Sequence, residues 1–345
     1  MRSRAIAYGL GAAALFGASV PALKLAASRT GPLVLAGLLY LGAGIALSAF
    51  RALRRPVGEA PLRRRDAPAL AGIVVGGAVV GPVLLVLGLQ RLPGSAGALL
   101  LNLEAPFTAL LAVLMFGEHL GLRGGLALAS VAAGACALAF APGGLHVDPA
   151  GAALVAMACA AWALDTNLTQ RLSLREPVAL VRFKGLCGGA CTLALAAIWR
   201  EGTPGPAQIG AALLIGALGY APSVVWHVRA LRELGAARQS AIFATAPFVG
   251  ALLAWPVLGE TPGPRELVAA LLMAAGVSLL ASEKHAHLHE HEALEHEHLH
   301  MHDEHHRHAH DSPVSEPHSH PHRHEALVHE HPHEPDLHHR HPHGR

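Results

Sequence analysis

Aromatic side chains make up only 4% of this 345-residue chain and charged ones only 14%, against 52% apolar residues. That charge content falls well short of the about 25% usual in soluble domains. No Gly-rich phosphate loop, Gly-x-Ser-x-Gly elbow, His-Glu-x-x-His pair or dinucleotide fingerprint occurs, which weighs against an enzyme. The four cysteines, Cys136, Cys159, Cys187 and Cys191, lie inside apolar runs without metal-ligand pairing. Cys187 and Cys191 would share a helix face, and all four read as small buried hydrophobes.

The averages conceal a break. Residues 1–284 carry 12 acids against 22 Lys and Arg, whereas the last 61 residues hold 23 of the 26 histidines with 12 acids and 4 arginines. The first region has a membrane-protein composition, the second that of a low-complexity polar tail.

Within the apolar region a single stretch is written twice. Gly94 to Gly134 aligns with Gly235 to Gly276, matching Ala105-Pro106-Phe107 with Ala246-Pro247-Phe248, Gly117-Glu118 with Gly259-Glu260, and Arg123 with Arg265. A proline inside an apolar run and an acid closing it recur in order, which marks a duplication.

A bilayer core of roughly 30 Å takes about 20 apolar residues per helix. On that measure the chain holds ten spans: Ala5–Ala27, Pro32–Phe50, Ala67–Leu89, Gly94–Phe116, Gly124–Phe140, Ala150–Thr169, Val178–Trp199, Ile209–His227, Ala236–Leu258 and Arg265–Ala281. The first resembles a secretory signal in isolation, but Phe16-Gly17-Ala18 aligns with Trp162-Ala163-Leu164 at the start of the second half. The third carries Gly72, Gly76, Gly77 and Gly81 at the small-xxx-small spacing of close helix packing. Five spans per copy turn the second copy upside down. The arginines cluster at Arg2, Arg4, Arg51–Arg65, Arg123, Arg171, Arg175, Arg229 and Arg232, and Lys284 follows the last span; this places both termini in the cytoplasm.

Two five-helix halves, each with Ala-Pro-Phe in an apolar helix that ends in Gly-Glu, resemble the paired EamA domains of the drug/metabolite transporter superfamily. The resemblance covers residues 5 to about 282. It implies an all-α, ten-helix inner-membrane carrier, often an exporter of amino acids, metabolites or drugs, with a central cavity between the repeats. The expected divisions are 1–141 and 142–284 for the repeats and 285–345 for the tail.

Ionisable groups inside a bilayer are costly, and each calls for a reason. Glu104 lies near the middle of the fourth span, two residues after Asn102 and two before Pro106, opposite the uncharged Thr245 in the repeat. Pro106 and Pro247 each free a carbonyl about one turn earlier, and Pro82 and Pro222 form a second such pair. Glu104 is therefore either a proton- or cation-coupling carboxylate, with Asn102 lining the pocket, or a structural carboxyl paired with Lys24 or Arg182. Asp165, Thr166 and Asn167 form a second polar cluster, read as interfacial in preference to cavity lining. Trp162 and Trp226 either wall an apolar cavity or anchor at the interface, and His227 is expected to be hydrogen-bonded or snorkelling. Lys24, Arg182 and Lys184 are expected to snorkel, and Glu118 and Glu260 to be solvated or to brace loops.

The tail has too little apolar residue for a core and is expected to be disordered. Its imidazoles, beginning His285, His287, His289, His291, His296, His298, His300, His302, His305, His306, His308 and His310, suit Zn, Ni, Co or Cu without fixed stoichiometry. No cofactor is required. The expected partners are the lipid bilayer, a small solute, H+ or another coupling ion, and a divalent metal at the tail, with no nucleic acid. Metabolite or drug export is the leading reading; a divalent-metal carrier using the tail as buffer or sensor is the alternative.

Overall fold

The structure is a computed structural model and describes residues 2–53, 59–116, 122–139 and 148–281, with four short backbone segments of the tail. Helices α1 (Arg2–Ala27) and α2 (Pro32–Leu53) are the first two spans. The third is a continuous helical rod, Arg64–Arg91, made of α3 (Ala67–Gly72), a π-helical stretch Ile73–Val80 and α4 (Gly81–Arg91). The fourth joins α5 (Gly94–Leu100) to α6 (Glu104–Phe116) through a 3-10 turn at Leu101–Leu103, and α7 (Leu122–Ala139) is the fifth.

The second half repeats this plan. It contains α8 (Pro149–Arg171), α9 (Pro177–Ile198), α10 (Pro206–Leu214) leading through a π segment Ile215–Tyr220 into α11 (Ala221–Phe243), then α12 (Ala246–Leu258) and α13 (Pro264–Ala281). Prolines open α2, α8, α9, α10 and α13, where a missing N–H costs nothing because the first helical donors have no intrahelical partner. Asp148 caps α8 by accepting from Ala150 N at 3.0 Å. Gly259, left-handed at φ 68°, ends α12.

Among the described residues, eight helices are long and apolar enough to cross a bilayer. The other two, α7 and α13, have 18 residues each and pack along one another, completing the two quintets. At 1.5 Å per residue each is about 27 Å long, close to the hydrocarbon thickness. The loop expected between His227 and Ala236 is helical, and α11 continues to Phe243. Residues 228–243 read VRALRELGAARQSAIF, rich in Ala, Leu and Arg with a single glycine and no proline, a helix-forming sequence.

The packing obeys a two-fold exchange of the repeats. α1 lies against α11 and α12, and its counterpart α8 lies against α4 and α6; α2 pairs with α9 and α7 with α13. The seam between α7 and α13 shows this at atomic scale. A Cβ on Gly134 would stand 2.8 Å from Met273 Cγ and 3.0 Å from Ala269 O, and one on its repeat mate Gly276 would stand 2.7 Å from Val131 Cγ2 and 2.8 Å from Ala127 O. Val131 and Met273, like Ala127 and Ala269, are repeat mates, so a single contact is written twice.

Polar contacts segregate by loop parity, as alternating membrane crossings require. At one end, residues following even-numbered spans meet: Arg51 pairs with Glu176, Arg175 Nε with Asp66 Oδ2 at 2.9 Å, and Arg232 Nη1 with Glu59 Oε2 at 3.0 Å. Glu176 N also donates to Ala60 O at 2.9 Å. At the other end, Leu33 N and Val34 N donate to the Glu201 carboxylate at 3.1 and 2.9 Å, and Gly94 N and Ser95 N donate to that of Glu260 at 2.5 and 2.8 Å. Glu260 thus braces a helix start, as expected of a loop-end acid. Glu118 lies outside the described residues.

Three of the four cysteines depart from expectation. Only Cys159 is buried; Cys187 is half-buried, and Cys136 and Cys191 are exposed, as are leucines such as Leu126 and Leu271. An apolar run in a bilayer does not specify core, because lipid is as apolar as the bundle interior.

Four short segments of the tail have paired, extended backbone. β1 (His285–His291) pairs antiparallel with β4 (Leu327–His333), and β2 (Leu294–His300) with β3 (His318–His324). The alternating His-x-His pattern has the period of extended backbone, although a two-stranded ladder alone has marginal stability. His302, His305, His306, His308 and His310 lie outside the described residues.

Gly134→Leu and Gly276→Leu should destabilise the protein by similar amounts, about 1–3 kcal/mol each, since each forces the same seam apart. Thermal unfolding of the purified variants checks this; a large effect at one glycine and none at its mate would contradict the two-fold packing.

Candidate functional site

The site begins with a proline. In the π stretch before Pro82 the Gly81 N–H donates to Gly76 O, five residues back. The next carbonyl, Gly77 O, would look to residue 82, which has no N–H. Two side chains take its place as donors: Tyr40 Oη at 2.5 Å and Trp162 Nε1 at 3.1 Å. This orphaned carbonyl thereby ties α2, the third span and α8 together.

Trp162 sets the phase of α8, and three residues on, Asp165 faces the same glycine. A Cβ on Gly77 would stand 2.2 Å from Asp165 Oδ2, so only glycine admits the carboxylate there. Asp165 holds Lys184 of α9 in a buried ion pair and accepts from Thr169 Oγ1 at 3.3 Å. Thr166 Oγ1 donates to Glu104 Oε1 at 3.3 Å. Glu104 opens α6 and is half-buried because it faces a cavity.

That cavity is lined from both repeats: Phe16 of α1; Leu101, Asn102, Glu104, Ala105 and Thr108 around the break in the fourth span; and His227, Ser240, Phe243, Ala244, Ala246 and Pro247 around the matching break between α11 and α12. Asn102 is buried, its Nδ2 donating to Leu99 O at 3.0 Å while Oδ1 meets no donor among the described residues. Asn167 Nδ2 donates to Thr108 O at 3.2 Å and so braces the wall from behind.

The sequence expectations meet this geometry unevenly. Glu104, Asn102 and Pro247 line the cavity together, and Thr245 and Pro106 belong to the two helix breaks beside it. Asp165, Thr166 and Asn167 are buried in the bundle, which corrects the interfacial reading. Trp162 stands behind the wall, edge-on to Phe16 at 5.9 Å. Trp226 is half-buried elsewhere, against Gly11 and 6.2 Å from Tyr8. His227 is buried, its Nδ1 2.9 Å from Gln239 Nε2, and lines the cavity.

Lys24 does not pair with Glu104; its ammonium donates to Leu89 O. The lysine that reaches the cluster is Lys184, in place of the snorkelling expected of it. Standing seven residues into α9, about 10 Å along the axis, it lies too deep for that, and an Asp is nearer than water. Tyr40 and Phe16 join the site without having been singled out by the sequence, though Tyr40 is one of only three tyrosines and sits mid-span.

Comparison with known proteins agrees with the fold. The profile of the EamA-like transporter family matches residues 3–140 and again 149–282. The chain belongs to the EamA-like transporter family. An uncharacterized transporter of Methanothermobacter thermautotrophicus is 28% identical over 282 residues, covering 77% of this chain and 82% of that protein. A solved crystal structure superposes with a TM-score of 0.59 at 20% identity, over 82% of this chain and 98% of its own, which speaks to the fold alone. The two profile matches coincide with the two quintets, so each EamA repeat is one five-helix unit of this membrane transporter.

Gly77→Val should displace the Asp165 carboxylate and strand Lys184, costing about 3–5 kcal/mol, the range for breaking a buried ion pair. Loss of monodisperse protein on size exclusion is the expected result; a variant as stable as the parent would show that this glycine is not a packing constraint.

Proposed function

We propose that this EamA-family protein is a secondary transporter that exports a small metabolite or drug-like solute by alternating access between its inverted repeats, with Glu104 as the coupling carboxylate. The observation that carries the reading is the place of Glu104: it faces a cavity built from both repeats, at a helix break, with one threonine hydroxyl as its hydrogen-bond donor. A carboxyl so placed must be neutralised by a proton or by a bound cation, and either event belongs to a transport cycle. Paired broken helices at matching positions support a midplane site. The loop parity of the polar contacts supports both termini lying on one side of the membrane, and the arginine bias supports the cytoplasmic side of the inner membrane for them.

The test uses everted vesicles with a proton-gradient dye, to which amino acids, drugs and nickel, cobalt and zinc salts are added in turn. A compound that dissipates the gradient with the parent protein should leave it untouched with Glu104→Gln, at the level of empty vesicles, while the variant inserts normally. Undiminished dissipation by the variant would overturn the coupling role.

For the tail we propose divalent-metal binding, supported by its dense imidazoles. Calorimetry with nickel and zinc should give multi-site binding for the full chain and a large loss for a chain stopped after Lys284; equal binding by both would refute it.

A further inference from the structure

We infer that Lys184 is a positioning residue that exchanges between Asp165 and Glu104, pairing with Asp165 while Glu104 is protonated and turning to Glu104 when its proton leaves. The inference rests on the coupling role of Glu104 and adds to it the group that makes deprotonation possible inside the bundle.

Three ionisable side chains from three spans stand around one point. Asp165 and Thr166 are consecutive on α8; the first holds the Lys184 ammonium and the second holds Glu104, so the pair and the third carboxyl are joined through adjacent residues. Glu104 feels the charges of both Asp165 and Lys184. The other titratable groups facing this region are Tyr40 of α2, Tyr220 before α11, Cys159 of α8 and His227 of α11. Of the described groups around the cluster, Lys184 supplies the cation.

With Glu104 neutral, the cluster sums to zero charge. Once Glu104 ionises, two carboxylates share one ammonium, and a hydroxyl hydrogen bond does not offset a net charge in such surroundings. The lysine stem is suited to the exchange, a compact point charge on four methylenes with three donors, and its ammonium lies over the Tyr40 ring at 6.0 Å without being clamped by it. Asp165 by contrast is fixed, wedged against Gly77 and bonded by Thr169. The exchange therefore moves the lysine and leaves Asp165 in place; the single net negative charge that deprotonation creates is shared by two carboxylates across one ammonium that swings toward Glu104, and the protonation state of α6 is so transmitted to α9.

The experiment labels the full-length protein in proteoliposomes with dicyclohexylcarbodiimide, which attacks protonated carboxyls in apolar surroundings, and quantifies the Glu104 peptide by mass spectrometry across a range of pH. The parent should label at Glu104. Asp165→Asn leaves Lys184 to Glu104 and should lower labelling near neutral pH about tenfold, the effect of an opposite charge at contact. Asp165→Asn combined with Lys184→Met removes the cation and should restore labelling. If Asp165→Asn labels like the parent, or the double variant fails to recover, the exchange is overturned while Glu104 keeps its role. If the parent's Glu104 labels at no pH, the coupling reading itself falls, and the exchange with it.

Discussion

A bilayer core supplies no hydrogen-bond partners, and every backbone carbonyl released inside it must find a donor within the bundle. Pro82 releases one, at Gly77, and the remainder of the site follows from how that carbonyl is satisfied. Tyr40 and Trp162 reach it from two other spans, and Trp162 fixes the rotation of α8. Rotation of α8 puts Asp165 over the bare α-carbon of Gly77, and Asp165 draws in Lys184. Thr166, the next residue, then meets Glu104. Glycine and proline are weak signals singly; here the proline makes the vacancy and the glycine makes the room.

The scaffold is symmetric and the chemistry is not. The α7–α13 seam uses repeat mates on both sides, and the π segments precede Pro82 and Pro222 alike. Yet Glu104 is matched by Thr245, and Asp165, by the alignment of Phe16 with Trp162, is matched by Ser19. Each ionisable group inside a membrane carries a desolvation cost, so duplicating the set would double that cost without adding a second cavity. Two-fold packing suits a bundle with two related states, whereas a solute needs one set of contacts.

How much is legible in the sequence follows the same division. The duplication, the proline pairs and Glu104 can be read because they are departures from a monotonous apolar background. The depth of a residue along a helix is also legible, but its azimuth is not. Cys136 and Cys191 read as core, and the burial of Asp165 against its neighbours goes unread, because Ala-rich and Leu-rich faces give no moment telling lipid from protein. Lys184 illustrates a subtler limit: its distance from the helix end argues against snorkelling, yet its partner lies 19 residues away on another span. The helical continuity of α11 is hidden because arginines and a glutamate look like a loop in an apolar chain, although they are good helix formers.

The two ends of the bundle are closed by different chemistry, and the difference bears on which contacts set geometry. Glu201 and Glu260 each offer both carboxylate oxygens to two successive backbone N–H groups at a helix start, where orphan donors and the helix dipole favour an anion. Each acid comes from the opposite repeat to the helix it caps, so these contacts fix the register of one repeat on the other. At the far end Arg175 and Arg232 meet Asp66 and Glu59 as guanidinium–carboxylate pairs, and Arg232 also donates to Ser173 O and Arg175 O, each at 2.8 Å. Arg175 and Asp66 are buried, and separating them would leave a charge without its partner inside the protein, which is costly. Asp66 and Glu59 belong to the first repeat and Arg175 and Arg232 to the second, so this end too fixes the register of one repeat on the other, by charge pairing where the opposite end uses carboxylates on backbone N–H groups.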